Sequence, residues 1–121
     1  LDLAPTFCEI AGIEIPNYME GQTLPTSDNK VQGRDYVLTE WDSEHGPVDM
    51  HLKSIYRSDG WLCTAYDKST LYEGTEGELY NLKQDPEQRE NLWSKETQIQ
   101  RELVEAIDDS LPAARRPRLD R

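Results

Sequence analysis

Gly77-Glu78-Leu79-Tyr80-Asn81-Leu82-Lys83-Gln84-Asp85-Pro86-Glu87-Gln88-Arg89-Glu90-Asn91-Leu92 joins a short strand to a tight turn. Leu79 and Leu82 flank a strand pattern that presents Tyr80 to the opposite face. Asp85 then caps a turn whose first position is Pro86, where a missing N–H costs nothing. Glu87 suits the positive end of such a turn. Upstream, residues 52–57 and 61–66 are two further apolar and β-branched runs separated by Ser58-Asp59-Gly60. An Asp-Gly between such runs predicts a hairpin and antiparallel pairing. Residues 36–41 read as another strand, which Asp42 to Pro47 is expected to break. Downstream, Ile99, Leu103, Ala106, Ile107 and Leu111 trace one face of a helix from about Lys95, and Pro112 stops it.

The opening residues predict a short helix with Asp2 as N-cap, Pro5 in the first turn, a stripe of Leu3, Phe7, Ile10 and Ala11, and Gly12 as the stop. From Ile13 to Arg34 the prolines, glycines and polar residues are loop chemistry. The pattern as a whole predicts an α+β fold: a small antiparallel sheet of about four strands packed with a C-terminal helix and preceded by a short helix. Three segments are expected: 1–34 as helix and loop, 35–112 as sheet plus helix, and 113–121 as a flexible basic tail.

At 121 residues the chain makes one domain or less. Hydrophobic residues are 36% and mean hydropathy is -0.83, so much of it must be surface or loop, although three Trp and six Tyr mark it as globular. The net charge of -11 argues against nucleic-acid and anionic-membrane partners, which require basic patches. Arg115, Arg116, Arg118 and Arg121 sit in a Pro-rich end and read as a solvated tail. No run approaches the roughly 18 apolar residues of a membrane span. Cys8 and Cys63, far apart and both in apolar patterns, read as two buried reduced thiols, which leaves the compartment open. A chain that opens on Leu1 at a helix start reads as an excised piece of a longer polypeptide.

Glu78-Leu79-Tyr80-Asn81-Leu82, then Asp85-Pro86, then Asn91-Leu92 resembles the closing stretch of sulfatases of the alkaline phosphatase superfamily. Asp2-Leu3-Ala4-Pro5-Thr6, Ala11-Gly12-Ile13 and Met19-Glu20-Gly21-Gln22-Thr23-Leu24 resemble the block that precedes it in those enzymes. The resemblance implies a full-length protein that hydrolyses sulfuric esters with a formylglycine, made from the cysteine of C-x-P-x-R or an equivalent serine, beside a calcium-type divalent metal held by Asp and Asn. Cys8 is followed by Glu9-Ile10-Ala11-Gly12 and Cys63 by Thr64-Ala65-Tyr66-Asp67, so neither is such a precursor. No catalytic residue and no metal ligand is therefore expected in this chain.

Thr26-Ser27-Asp28-Asn29-Lys30 and Ser43-Glu44-His45-Gly46 imitate the family's S-D-[HN]-G metal motif, but that motif precedes the first helix in the family and both stretches follow it here. Asp28 and Asn29 read as a turn with Asx-type hydrogen bonds. His45, His51, Lys53 and Glu44 are plain surface residues on their own chemistry. The resemblance makes them candidates for lining the mouth of an active-site cleft and selecting substrate. Trp41 and Trp61 read as core residues rather than sugar-stacking platforms. The implied partners are a missing N-terminal catalytic domain, on which the first helix would pack, and a sulfate ester substrate of the full-length protein. The uncovered helix predicts self-association of the isolated chain. The leading function is the C-terminal portion of a sulfatase-like hydrolase, completing the fold and shaping substrate access. The alternatives are a stand-alone non-catalytic binding or structural module, and the C-terminal part of a phosphonate or phosphate monoester hydrolase.

Overall fold

The computed structural model describes residues 1–25 and 33–110. The chain forms two compact units, Leu1–Gly33 and Arg34–Arg121. In the first, helix α1 (Leu3–Ile10) ends where Gly12 N–H donates to the Glu9 carbonyl and Ile13 N–H to the Cys8 carbonyl, which satisfies two of the last-turn carbonyls. Asp2 occupies the N-cap position without a capping side-chain bond, contrary to expectation. Its carboxylate accepts from the Gln22 backbone N–H at 3.0 Å, and the Thr6 hydroxyl accepts from Leu24 N–H at 2.9 Å. The Asp2 carboxylate is thereby diverted from the helix, while the Thr6 hydroxyl, which also donates to the Asp2 carbonyl at 2.5 Å, bridges helix and loop. Gly21 meets the Leu1 carbonyl so closely that a Cβ there would lie 2.2 Å from the oxygen.

The second unit is a four-stranded antiparallel meander in the order β1 (Tyr36–His45), β2 (Val48–Arg57), β3 (Trp61–Tyr66) and β4 (Gly77–Asn81), followed by α2 (Thr97–Ser110). The first hairpin is longer than its sequence suggests. Residues 42–45 and 48–51 continue the ladder, leaving Gly46-Pro47 as the turn, because each polar residue of 42–45 has a cross-strand partner. The second hairpin turns at Ser58-Asp59-Gly60, as expected, with Gly60 N–H donating to the Arg57 carbonyl.

Strand residues alternate between faces. One face carries Ile55, Cys63, Ala65 and Leu79, all buried under Leu103, Val104 and Ile107 of α2. Leu38, Trp61, Leu92, Trp93, Ile99 and Ala106 pack around this core half-buried. Of the two tryptophans read as core, Trp61 joins it, whereas Trp41 lies on the opposite face and is 60% exposed. Arg57 anchors the helix to the second turn, donating to Glu102 at 2.6 Å and to Asp59 at 2.9 Å.

After β4 the chain makes a turn rather than a helix. The Asp85 carboxylate accepts from Glu90 N–H at 2.9 Å, and its carbonyl accepts from Gln88 N–H. These bonds hold the Asp85 carboxyl below its ordinary range, chiefly through the backbone N–H of Glu90. The turn returns Asn91 to the free side of β4, where its side-chain oxygen accepts from Leu79 N–H at 3.1 Å and its amide nitrogen donates to the Gly77 carbonyl at 3.0 Å. Leu92 N–H donates to the Leu79 carbonyl at 2.8 Å. The Trp93 ring lies over Gly77, where a Cβ would come within 2.5 Å of ring carbons, so only glycine fits. The expected end of the last helix at Leu111 and Pro112 and the basic tail fall outside the described residues, as do Ser27, Asp28, Asn29 and Lys30.

Candidate substrate-access surface

The face that carries the core changes character beyond α2. Cross-strand register places Glu40 opposite Lys53, Asp42 opposite His51 and Glu44 opposite Asp49. Three of the four sequence candidates, Glu44, His51 and Lys53, therefore share this face. His45, one residue out of phase, lies on the other, opposite Val48.

Lys53 is buried, and its Nζ donates to Asp67 Oδ2 at 2.7 Å. Its ammonium is committed to this ion pair inside the protein. His51 sits between two carboxylates, with Nδ1 2.9 Å from Asp42 Oδ1 and Nε2 3.4 Å from Asp49 Oδ2. Its pKa is raised from the ordinary 6.5, first by the hydrogen bond to Asp42, so the imidazolium is favoured. Asp49 is held below the ordinary carboxylate range, chiefly by hydrogen bonds from Thr70. Thr70 N–H donates to Asp49 Oδ1 at 2.7 Å, and Asp49 N–H donates to the Thr70 hydroxyl at 2.9 Å. Asp67 N–H donates to the His51 carbonyl at 2.9 Å, so the loop after β3 is strapped along the outer half of β2.

Asp42, Asp49, Asp67 and Thr70 were not singled out by sequence reasoning. The signal available was the spacing of Glu40, Asp42 and Glu44 at every second residue, which marks one strand face once residues 42–45 are accepted as strand. Carboxylates outnumber cations on this surface. It can accept hydrogen bonds from hydroxyl or ammonium groups of a ligand, while a sulfate anion meets the wrong sign of charge.

The core thiol offers no nucleophile. Cys63 lies in the core, where burial pushes its pKa up to about 12, and Cys8, expected to be buried, is only half-buried on α1. Both are free, as expected. Among the described residues no group of three His, Cys, Asp or Glu side chains is placed to hold a metal ion. Among the described residues the side chains do not fit the divalent metal or the formylglycine that the family resemblance implies.

A family model described as N-sulphoglucosamine sulphohydrolase, C-terminal, matches residues 1–115. A Delta 4,5-hexuronate-2-O-sulfatase of Bacteroides thetaiotaomicron is 37% identical over 95 residues, a match covering 76% of this chain and 18% of that protein. An N-acetylglucosamine-6-O-sulfatase of the same organism is 28% identical over 120 residues, covering 91% and 20%. The solved structure of a 2-O GAG sulfatase superposes with a TM-score of 0.70 at 33% identity, covering 91% of this chain and 24% of that one. The chain thus spans only about a fifth to a quarter of the length of these relatives. The family match runs from α1 through the meander and the Asp85 turn into α2, and by it the chain belongs to the N-sulphoglucosamine sulphohydrolase C-terminal family, as a C-terminal domain of sulfatases.

Proposed function

We propose that this chain completes the fold of a sulfuric ester hydrolase and shapes access to an active site built by the remainder of the same polypeptide. The observation that carries the reading is the family match over residues 1–115 combined with a coverage of only 18–20% of the relatives' length. The formylglycine and the divalent metal of such an enzyme then belong to that remainder. Residues 1–34 form the tail end of its catalytic domain and 35–112 the C-terminal subdomain. Glu44 and His51, with Asp42 and Asp49, form a wall that selects the leaving group through its hydroxyls rather than through the sulfate. Lys53 and Asp67 hold that wall in place, and His45 contacts whatever adjoins the opposite face of the hairpin end.

The test is turnover of an aryl sulfate by the product of the whole reading frame, by the same product lacking this chain, and by this chain alone. Turnover is expected from the first only, with the mass signature of formylglycine in a C-x-P-x-R or serine-type motif upstream of Leu1. Metal-dependent turnover by this chain alone, abolished by a substitution within it, overturns the assignment of the chemistry. A whole protein active on phosphonate or phosphate esters and inert to sulfate overturns the reaction class.

A further inference from the structure

β4 lies at the opposite edge of the sheet from β1, and beside it is a cavity of about 380 Å³ lined by Thr75, Glu76, Gly77, Asn91, Trp93 and Ser94. Sites for small molecules begin at about 300 Å³. One wall is a carboxylate fixed by the backbone. The N–H groups of Glu73, Gly74 and Thr75 each donate to Glu76 Oε2 at 3.1 Å, an arrangement that Gly74 allows by its φ of +88. These bonds hold the Glu76 carboxyl below its ordinary range, that from Glu73 first, so it is ionised at neutral pH. Among the described residues, Oε1 receives only a share of the Glu73 N–H, at 3.3 Å. A carboxylate oxygen accepts about two hydrogen bonds, so Oε2 is fully engaged and Oε1 keeps an acceptor position.

Another wall is an indole. Trp93 Nε1 donates to the Thr75 carbonyl at 3.1 Å and its ring carbons lie on Gly77, so the ring is pinned along its length and its N–H is already engaged. Trp93 therefore brings carbon surface to the cavity. Thr75 and Ser94 bring hydroxyls, which both donate and accept. The Asn91 amide is occupied by Gly77, Leu79 and the Trp93 backbone N–H, so that side chain serves as a wall.

A pinned indole, an oriented carboxylate oxygen and two hydroxyls complement a pyranose, whose C–H face stacks on an aromatic ring while its hydroxyls donate to an acceptor. Among the described residues that line the cavity none is Lys or Arg, and the chain carries a net charge of -11, so a sulfated or uronic unit meets like charge. We propose that this cavity binds an uncharged sugar unit, its C–H face on Trp93 and one hydroxyl donating to Glu76 Oε1. Such binding involves no catalysis and is independent of which ester the whole polypeptide hydrolyses.

Saturation-transfer NMR on the intact polypeptide tests this, with methyl β-glucopyranoside, its 6-sulfate and tetramethylammonium as separate probes. Saturation is expected to reach the ring C–H protons of the neutral glycoside. Ser94→Trp, which fills the cavity from an exposed position, is expected to abolish that signal without moving the unfolding midpoint. Glu76→Gln keeps the shape and removes the charged acceptor, and is expected to weaken binding about five- to tenfold. A neutral glycoside that gives no signal with the wild type, or an undiminished one with both variants, overturns the proposal. So does a 6-sulfate whose signal falls in step with that of the neutral glycoside, or tetramethylammonium responding to both variants while the glycoside does not. Aryl sulfate turnover by the same preparation is scored separately. A polypeptide that binds the glycoside in a Ser94-sensitive way but turns over no sulfate ester retains this site and loses the sulfatase reading.

Discussion

At position 53 an ammonium group lies 2.7 Å from the Asp67 carboxylate, and the two side chains are 5% and 14% exposed. Asp67 Oδ1 is buried with no hydrogen-bond partner, so the carboxylate already depends on Lys53. Removing one partner of such a pair strands the other, and Lys53→Ala is expected to cost about 3–5 kcal/mol in denaturant unfolding. Lys53→Met combined with Asp67→Leu is expected to recover most of that loss, which separates the stranded charge from lost packing. His51 titrates in the opposite sense to a carboxylate. Its folded pKa lies above 6.5, so the stability it contributes is present below 6.5 and is lost as pH rises through the folded value. The Asp42 carboxylate facing it is 65% exposed, which limits the effect to about 1 kcal/mol or less. Unfolding midpoints are expected to fall across that window in the wild type, and His51→Gln is expected to flatten this part of the pH profile. Both residues were visible as chemistry in the sequence. Their partners were not, because Asp67 and Asp42 come into range only through sheet register and the loop after β3.

The turn between β2 and β3 shows what short-range sequence can decide. Ser58-Asp59-Gly60 sets it, Gly60 adopts φ +104, and a Cβ there would also lie 2.8 Å from Lys83 Cγ. Gly60→Val is therefore expected to cost about 1–3 kcal/mol, read as a lower denaturant midpoint with an unchanged slope. The α+β class, the pairing of β2 with β3 and the helix packed on the sheet were likewise legible, since each depends on local period and turn residues. The extent of β1 was not. Asp42, Ser43, Glu44 and His45 are poor strand formers taken singly, and only the pairing with residues 48–51 overrides that preference. Asp2 misled for the same reason: a capping residue has one carboxylate, and the loop at Gln22 claims it.

On the scale of the whole molecule, α1 presents Leu3, Phe7 and Ile10 at 61%, 63% and 68% exposure. Sedimentation of the isolated chain at micromolar concentration is expected to show association, and Phe7→Asp to return it to monomer. A wild type that sediments as a monomer indicates that the stripe does not self-associate. The return of the chain after the Asp85 turn bears on another property. Asn91 offers a side-chain amide that pairs with Gly77 and Leu79 as a neighbouring peptide unit would, and Leu92 supplies the next bond. One asparagine thus stands in for a fifth strand along the free side of β4. An unprotected strand edge is a template for intermolecular addition, the first step toward fibrils. Asn91 and Leu92 end that ladder within the chain, so the pair guards the protein's solubility over long times, and Asn91→Ala exposes β4 to cross-β growth.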